Sequence, residues 1–314
     1  MIQYINTGNK DTRSGFGAGL AELGRTNPKV VALCADLTGS LKMDSFAKEH
    51  PERFFQSGIA EANMIGVAAG LAISGYIPFA GTFANFATAR VYDQIRQSVC
   101  YSNTNVKIAA SHAGITLGED GATHQTMEDI GLMRMLPGMT VINPCDYNQT
   151  KAATIAAAAY TGPVYLRFGR PSVPNFTPDN QQFEIGKALH LNSGTQVSII
   201  ATGHLVWEAI QATEMLENMG ISVDLLNIHT IKPLDEAAIL ASVSKTGRLV
   251  CAEEHLIAGG LGEAIAGLLV KNNPVPMRFV AVNDLFGQSG KPAQLMQAYG
   301  LDADHIVRAV KELL

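Results

Sequence analysis

Ser57-Gly58-Ile59-Ala60-Glu61-Ala62-Asn63-Met64-Ile65-Gly66-Val67-Ala68-Ala69-Gly70 is the stretch on which the reading of this chain turns. Small and apolar residues fill nearly every position after Glu61, which predicts a close-packed helix that is not a surface helix. A single carboxylate stands at its mouth. An acid at the start of a buried helix needs a partner or a task, because an unpartnered buried charge is costly. Two readings stand side by side: a group with a chemical role, or an acid that only complements the helix dipole.

Working outward, short apolar runs alternate with longer helix-like stretches. Val30–Ala35, Ile77–Phe83, Val106–Ser111, Thr140–Asn143 and Val164–Phe168 read as strands. Continuous apolar runs of this length suit strands buried on both faces of a parallel sheet. Thr12–Arg25, Glu61–Ser74, Ala87–Tyr101, His124–Met135 and Tyr147–Thr161 read as the intervening helices. Pro171, Pro174 and Pro178 then fall close together among polar residues, as in a linker. The pattern restarts with strands expected at Val197–Thr202, Val223–Ile228, Arg248–Ala252 and Phe279–Val282. Helices are expected at Leu205–Met219, Leu234–Val243, Gly262–Val270 and Ala293–Ala298. The expected fold class is α/β: two open doubly wound domains, each a mostly parallel sheet covered by helices. The expected division is residues 1–172, a linker 173–192, and residues 193–314.

With 314 residues, 47% apolar and 16% charged, the chain has the composition of a globular protein with room for two cores. Its formal net charge is −5 and it has no basic run, so neither nucleic acid nor a membrane surface is expected as partner. No stretch reaches the roughly 18 consecutive apolar residues of a membrane span. Met1 to Arg13 is polar and lacks the apolar core of a signal peptide. Cys34, Cys100, Cys145 and Cys251 are far apart and form no CxxC pair, as in reduced core residues of a cytoplasmic protein. Gly15-Phe16-Gly17-Ala18-Gly19, Gly259-Gly260-Leu261-Gly262 and Gly287-Gln288-Ser289-Gly290-Lys291-Pro292 all fail the spacing or context of a nucleotide-binding loop.

A second stretch carries candidate chemistry: Ser111-His112-Ala113-Gly114-Ile115-Thr116-Leu117-Gly118-Glu119-Asp120-Gly121-Ala122-Thr123-His124-Gln125. It follows an apolar strand, so it sits at the edge where open α/β sheets place ligands. Histidine titrates near neutrality and suits proton transfer and hydroxyl recognition. Taken alone, the stretch reads equally well as a glycine-rich loop whose polar groups satisfy each other.

Both stretches resemble signatures of thiamine diphosphate enzymes. The first is similar to a Glu, four residues, Gly, an apolar residue, two residues, Gly pattern in the aminopyrimidine-binding domain of transketolases and 2-oxo-acid dehydrogenases. Gly118 to Gln125 resembles the transketolase motif Gly-Glu-Asp-Gly-Pro-Thr-His-Gln, with Ala122 for Pro. The resemblance implies that Glu61 hydrogen-bonds the cofactor's ring and that Phe83 and Phe86 stack on it. Two Phe alone would more often be plain core. It also implies that Asp36 lies near the cofactor, that His112 and His124 act on the donor, and that Asp120 reads a sugar hydroxyl. Arg13, Ser40, His112 and Arg167 would hold a substrate phosphate, and the arginine fork suits such a dianion.

The resemblance covers nearly the whole chain but omits the domain that binds the diphosphate through a metal. No Gly-Asp-Gly occurs, and no metal ligands are expected here. The implied protein is the C-terminal subunit of a split transketolase, catalytic only with an N-terminal diphosphate-binding subunit that holds Mg2+. The resemblance also implies a heterotetramer of two chains of each kind, and two-fold symmetry is the common solution for such assemblies. It would move a two-carbon ketol unit between sugar phosphates of the pentose phosphate pathway. Two departures are Ala89, where a third aromatic often stands, and Arg90, which resembles an arginine of deoxyxylulose-phosphate synthases. Such a synthase, a 2-oxo-acid dehydrogenase β subunit and a non-enzymatic regulatory or scaffold subunit are the alternatives.

Overall fold

The structure, a computed structural model, describes residues 4–314; the first three residues of the polar N-terminal stretch lie outside the described residues. In chain order the strands are Asn9–Asp11 (β1), Val30–Cys34 (β2), Phe54–Gln56 (β3), Ile77–Phe83 (β4), Lys107–Ser111 (β5), Thr140–Ile142 (β6), Val164–Arg167 (β7), Ser172–Pro174 (β8), Leu189–Asn192 (β9), Val197–Ala201 (β10), Val223–Asn227 (β11), Thr230–Lys232 (β12), Leu249–Leu256 (β13) and Met277–Val282 (β14). The helices are Thr12–Thr26 (α1), Asp44–Glu49 (α2), Glu61–Ile73 (α3), Ala84–Thr88 (α4), Tyr92–Gln94 (α5), Asp129–Met135 (α6), Tyr147–Ala159 (α7), Leu205–Asn218 (α8), Glu236–Thr246 (α9), Leu261–Asn272 (α10), Pro292–Ala298 (α11) and Ala303–Lys311 (α12).

Two large sheets result. The first has the order β12-β6-β7-β5-β4-β2-β3, and the second β14-β13-β10-β11-β9. Every pairing in the first is parallel except β12 with β6, and every pairing in the second except β9 with β11. Strands β2, β5, β6, β7, β10 and β11 are buried along their whole length, because helices cover both faces. The two units are not cleanly separate: β12, from the second half of the chain, adds an antiparallel edge to the first sheet. One apolar cluster runs through both, from Ile65 and Ala80 to Ile200, Ile239 and Leu249.

The glycines of α1 are packing residues. A Cβ at Gly15 or Gly17 would strike the carbonyls of Tyr147 and Lys42, so their absence lets α1 lie directly against α7 and the segment before α2. Asp11 caps α1 by accepting the Ser14 N–H at 3.0 Å.

Three expected elements differ. The expected helix Ala87–Tyr101 is broken into α4, α5 and a π-helical turn at Ile95–Tyr101. The expected helix His124–Met135 starts only at Asp129, because Gly118 and Gly121 hold the preceding segment in left-handed turns. Helix α3 buries Glu61, Met64, Ile65, Ala68 and Ala69, but its other face is open. There Val67 and Ile73 are exposed, and a Cβ at Gly66 or Gly70 would meet nothing. The expectation of an enclosed helix therefore holds for one face of this chain only.

Candidate active site

Glu61, the first residue of α3, is 4% exposed. Its carboxylate takes no backbone N–H among the described hydrogen bonds; its one ion-pair partner there is Arg90, whose Nη1 lies 3.5 Å from both oxygens. The Arg90 guanidinium carbon stands 4.2 Å from the centroid of Phe86. Phe86 stacks on Phe83 at 5.8 Å and 18°, and Phe83 stacks on the His112 ring at 3.7 Å and 26°. His124 meets Phe86 edge-on at 5.5 Å. Four rings and the Arg90 guanidinium thus form one wall, with Glu61 at the Arg90 end.

Backbone strain marks the same edge. His112 directly follows β5 with φ 58°, and Asp36 lies just beyond β2 with φ 58°. A left-handed non-glycine residue is uncommon and collects at functional sites. The Asp36 side chain is exposed, and its N–H donates to Gln56 Oε1 at 2.7 Å. His112 is buried, with Nδ1 2.8 Å from Ser111 Oγ. Burial, reinforced by the charges of Arg13, Arg170 and His124, pushes its pKa down to about 3, so the ring is neutral at physiological pH. His124 Nδ1 lies 3.0 Å from Thr123 Oγ1, and Asn85 Nδ2 donates to the Thr123 carbonyl at 2.8 Å. Asp120 is exposed on the same loop.

Beside this wall, Arg13, Thr116, Glu119, Arg170, Pro171 and Pro292 line a cavity of ≈ 240 Å³. Arg13 pairs with Asp11 at 3.2 Å and donates to the backbone carbonyl of Ser40 at 3.1 Å. Arg170 donates to the Leu117 carbonyl at 2.7 Å and to Glu119 at 3.0 Å. Arg167 does not reach this cavity's lining. It is 3% exposed, with Nε 2.8 Å from Asp129 and Nη2 donating to the Glu254 carbonyl at 2.9 Å. Expecting Arg167 at the anion is corrected by strand geometry: β7 ends at Arg167, so the residue that emerges at the sheet edge is Arg170, three positions on.

Residues 9–175 match the transketolase pyrimidine-binding domain, and residues 186–306 match the transketolase C-terminal domain. The chain belongs to the transketolase family. It is 46% identical over 294 residues to the 6-deoxy-6-sulfo-D-fructose transketolase subunit SqwH of Clostridium sp. (strain MSTE9), covering 94% of this chain and 91% of that one. It is 39% identical over 303 residues to an apulose-4-phosphate transketolase subunit of Phocaeicola vulgatus, covering 96% and 97%. Among solved structures, a split-gene transketolase described as an inactive beta4 tetramer superposes with a TM-score of 0.91 at 47% identity, over 97% of this chain and 98% of that one. Human transketolase is 37% identical over 307 residues, and the chain spans about half of it, 49%. This chain therefore resembles the C-terminal subunit of a split transketolase over nearly its whole length, which favours a transketolase-type transferase over the dehydrogenase, synthase and scaffold readings.

A thiamine-dependent transketolase needs a seat for an aminopyrimidine ring, and these residues fit one. The wall offers a flat aromatic face, and Glu61 is a buried carboxylate whose ion-pair contact, at 3.5 Å, lies beyond good hydrogen-bond length. Among the described residues no group of three or more His, Cys, Asp or Glu is placed to hold a metal ion. No helix of the described residues is long and apolar enough to cross a membrane. Sequence reasoning missed three features of the site: the position of Arg170 at the cavity, the Arg90–Glu61 pair, and the contacts that reach its loop from the second half of the chain.

Proposed function

We propose that this chain supplies the aminopyrimidine seat and the donor-binding residues of a split ketol transferase. A separate subunit would bind the diphosphate through Mg2+, in a heterotetramer of two chains of each kind. The observation that carries this reading is convergence at one sheet edge: Glu61, the Phe83–Phe86 wall, neutral His112, His124, and the cavity between Arg13 and Arg170. Bound there, thiamine diphosphate supplies a carbon nucleophile and an electron sink for breaking a carbon–carbon bond next to a ketone.

This chain's residues then have defined tasks. Glu61 would hydrogen-bond a nitrogen of the aminopyrimidine ring, and Phe83 and Phe86 would hold the ring flat. Asp36 borders the cofactor. His112, neutral by burial, and His124 hold donor hydroxyls and move their protons. Asp120 reads a hydroxyl's configuration. Arg13, Ser40 and Arg170 hold the donor's terminal anion, supplying orientation far from the reacting bond.

The relatives named for a sulfo-sugar and for a sugar phosphate support a ketose donor with a terminal phosphate or sulfonate, not a pentose phosphate role alone. The open face of α3 suits a neighbouring subunit. We divide the chain into a pyrimidine-binding domain (1–172), a connection (173–192) and a C-terminal domain (193–314); the two family matches support two domains in this order, while β9 (Leu189–Asn192) of the connection already pairs into the second sheet. Four buried free cysteines suit a reducing, cytoplasmic setting.

The test mixes this chain with a diphosphate-domain chain, thiamine diphosphate, Mg2+ and an aldose acceptor. Donors are a ketose phosphate, a ketose sulfonate and the uncharged ketose. Ketol transfer only in the mixture, and only with an anionic donor, is expected. Turnover by this chain alone, or equal turnover of the uncharged ketose, would overturn the reading.

A further inference from the structure

The loop bearing Asp120 and His124 has little structure of its own. Gly114, Gly118 and Gly121 all take positive φ, and the one regular turn between them is Ile115–Leu117. Such a segment is intrinsically free, yet the second half of the chain grips it at both ends. Near its start, Glu254 of β13 accepts the Thr116 N–H at 2.7 Å, and a Cβ at Gly114 would strike that carboxylate. Near its end stands Gln125, 5% exposed. Its Nε2 donates to the carbonyls of Ile115 at 2.9 Å and Gly118 at 3.4 Å within the loop, and to Gln288 at 3.0 Å across the domain boundary. Gly287 leaves room for the other side of the amide, since a Cβ there would overlap Gln125 Oε1. Gly121 likewise lacks the Cβ that would press on Ser289 Oγ at 2.5 Å.

We propose that Gln125 is a positioning residue through which the loop before α11 fixes where Asp120 and His124 stand. The inference rests on the donor-binding role given to those two residues above. The Ile115 and Gly118 carbonyls also accept backbone N–H groups, of Gly118 and Gly121 at 3.2 Å each, so what the Gln125 amide adds is the link: its two N–H groups tie these carbonyls to that of Gln288 in the other half of the chain. Moving either side therefore moves the catalytic loop. The C-terminal half thus contributes to donor recognition without touching the donor. A displacement of about 1 Å in a reacting group costs about 10²-fold in rate, so a modest slackening of this clamp is visible in kinetics.

Two variants test it from opposite sides: Gln125→Met, which keeps length but removes the donors, and Gly287→Ala, which pushes on the amide from the second half. Hydrogen exchange of residues 115–124 in the full chain is expected to quicken about tenfold or more in both, with other segments unchanged. In the complex with the diphosphate-binding subunit, kcat/KM for the anionic ketose should fall about 10²-fold. Half-saturation by thiamine diphosphate should stay within about twofold. Unchanged exchange in both variants overturns the clamp, and so does an equal loss of cofactor and donor affinity, the signature of general damage. If the unmodified complex transfers no ketol unit, the functional reading fails, while the exchange comparison still decides the clamp.

Discussion

At the C-terminal edge of the first sheet, Glu61 is buried with one guanidinium 3.5 Å away. In the second sheet, Glu254 is buried as deeply, accepts the Thr116 N–H at 2.7 Å and faces His204 Nδ1 across 3.4 Å. Burial alone would raise the Glu254 pKa, but His204, Arg167 and the Thr116 N–H outweigh it and hold the carboxyl below its ordinary value. Glu61 opens a helix past the end of β3, whereas Glu254 stands within β13. Beyond the first sheet Arg13, Glu119 and Arg170 line a cavity, whereas Glu254 is turned inward against Thr116 of the first half of the chain. Edge chemistry is available for catalysis only where another part of the same chain has not already satisfied it.

Arg167 and Arg170 put that contrast on one strand and its exit. Breaking a buried pair leaves an uncompensated charge, so Arg167→Ala should strand Asp129 and cost about 3–5 kcal/mol in denaturant unfolding. Arg170→Ala should leave stability within about 0.5 kcal/mol. It should instead lower kcat/KM for an anionic ketose by about 10–100-fold, the loss of a charge-assisted hydrogen bond. The reverse assignment of the two effects would return the anion role to Arg167.

Stability against pH sharpens the comparison next. Burial pushes the pKa of His112 to about 3 and those of His229 and His255 to about 4. His255 Nε2 accepts the Gly131 N–H, so protonation there would oppose a donor. Unfolded histidine titrates near pH 6.5, so below that pH the unfolded chain takes up protons that the fold refuses. Stability should fall as pH drops from about 6.5 toward 4. Glu253 works the other way: burial raises it to about 7 against the Leu261 and Gly262 N–H bonds, so its contribution is present at low pH and fades as pH rises through 7. It offsets about one of the three histidines, leaving a net loss of roughly 2–3 kcal/mol per pH unit near pH 5.5. Denaturant midpoints at pH 7 and 5 check the sign, and a flat profile would contradict the burial of neutral histidines.

The smallest effect concerns Arg90. Its guanidinium lies on Phe86 and against Glu61, where the aminopyrimidine is proposed to sit. A half-exposed pair is worth about 0–1 kcal/mol. Arg90→Gln should therefore tighten thiamine diphosphate binding to the complex by no more than about fivefold. Weaker binding would mean that Arg90 supports the cofactor instead of yielding to it.

Much of this was legible in the residues. Strand β4 spans its apolar run end to end, and α1, α3 and α7 start where the pattern places them. Glu61 stood out because an acid before Met64-Ile65-Gly66-Val67 has no reason in helix packing alone. Arg170 was hidden because two arginines three residues apart look alike until the end of β7 is known. The full length of β13 was hidden for a related reason: Glu253 and Glu254 interrupt the apolar run. The strand continues to Leu256 because backbone N–H groups of Leu261, Gly262 and Thr116 satisfy those acids. Strand β12 and the Gln125 clamp join residues far apart in sequence, and local periodicity carries no trace of such pairings.

The most direct test compares Glu61→Gln with Glu254→Gln in the reconstituted complex, reading ketol transfer and thermal unfolding together. Glu61→Gln should leave the unfolding temperature unchanged and lower turnover by about 10²–10⁴-fold. Glu254→Gln should lower the unfolding temperature first. Full turnover with Glu61→Gln, in a complex shown to assemble, would contradict the placement of the chemistry at the first sheet's edge.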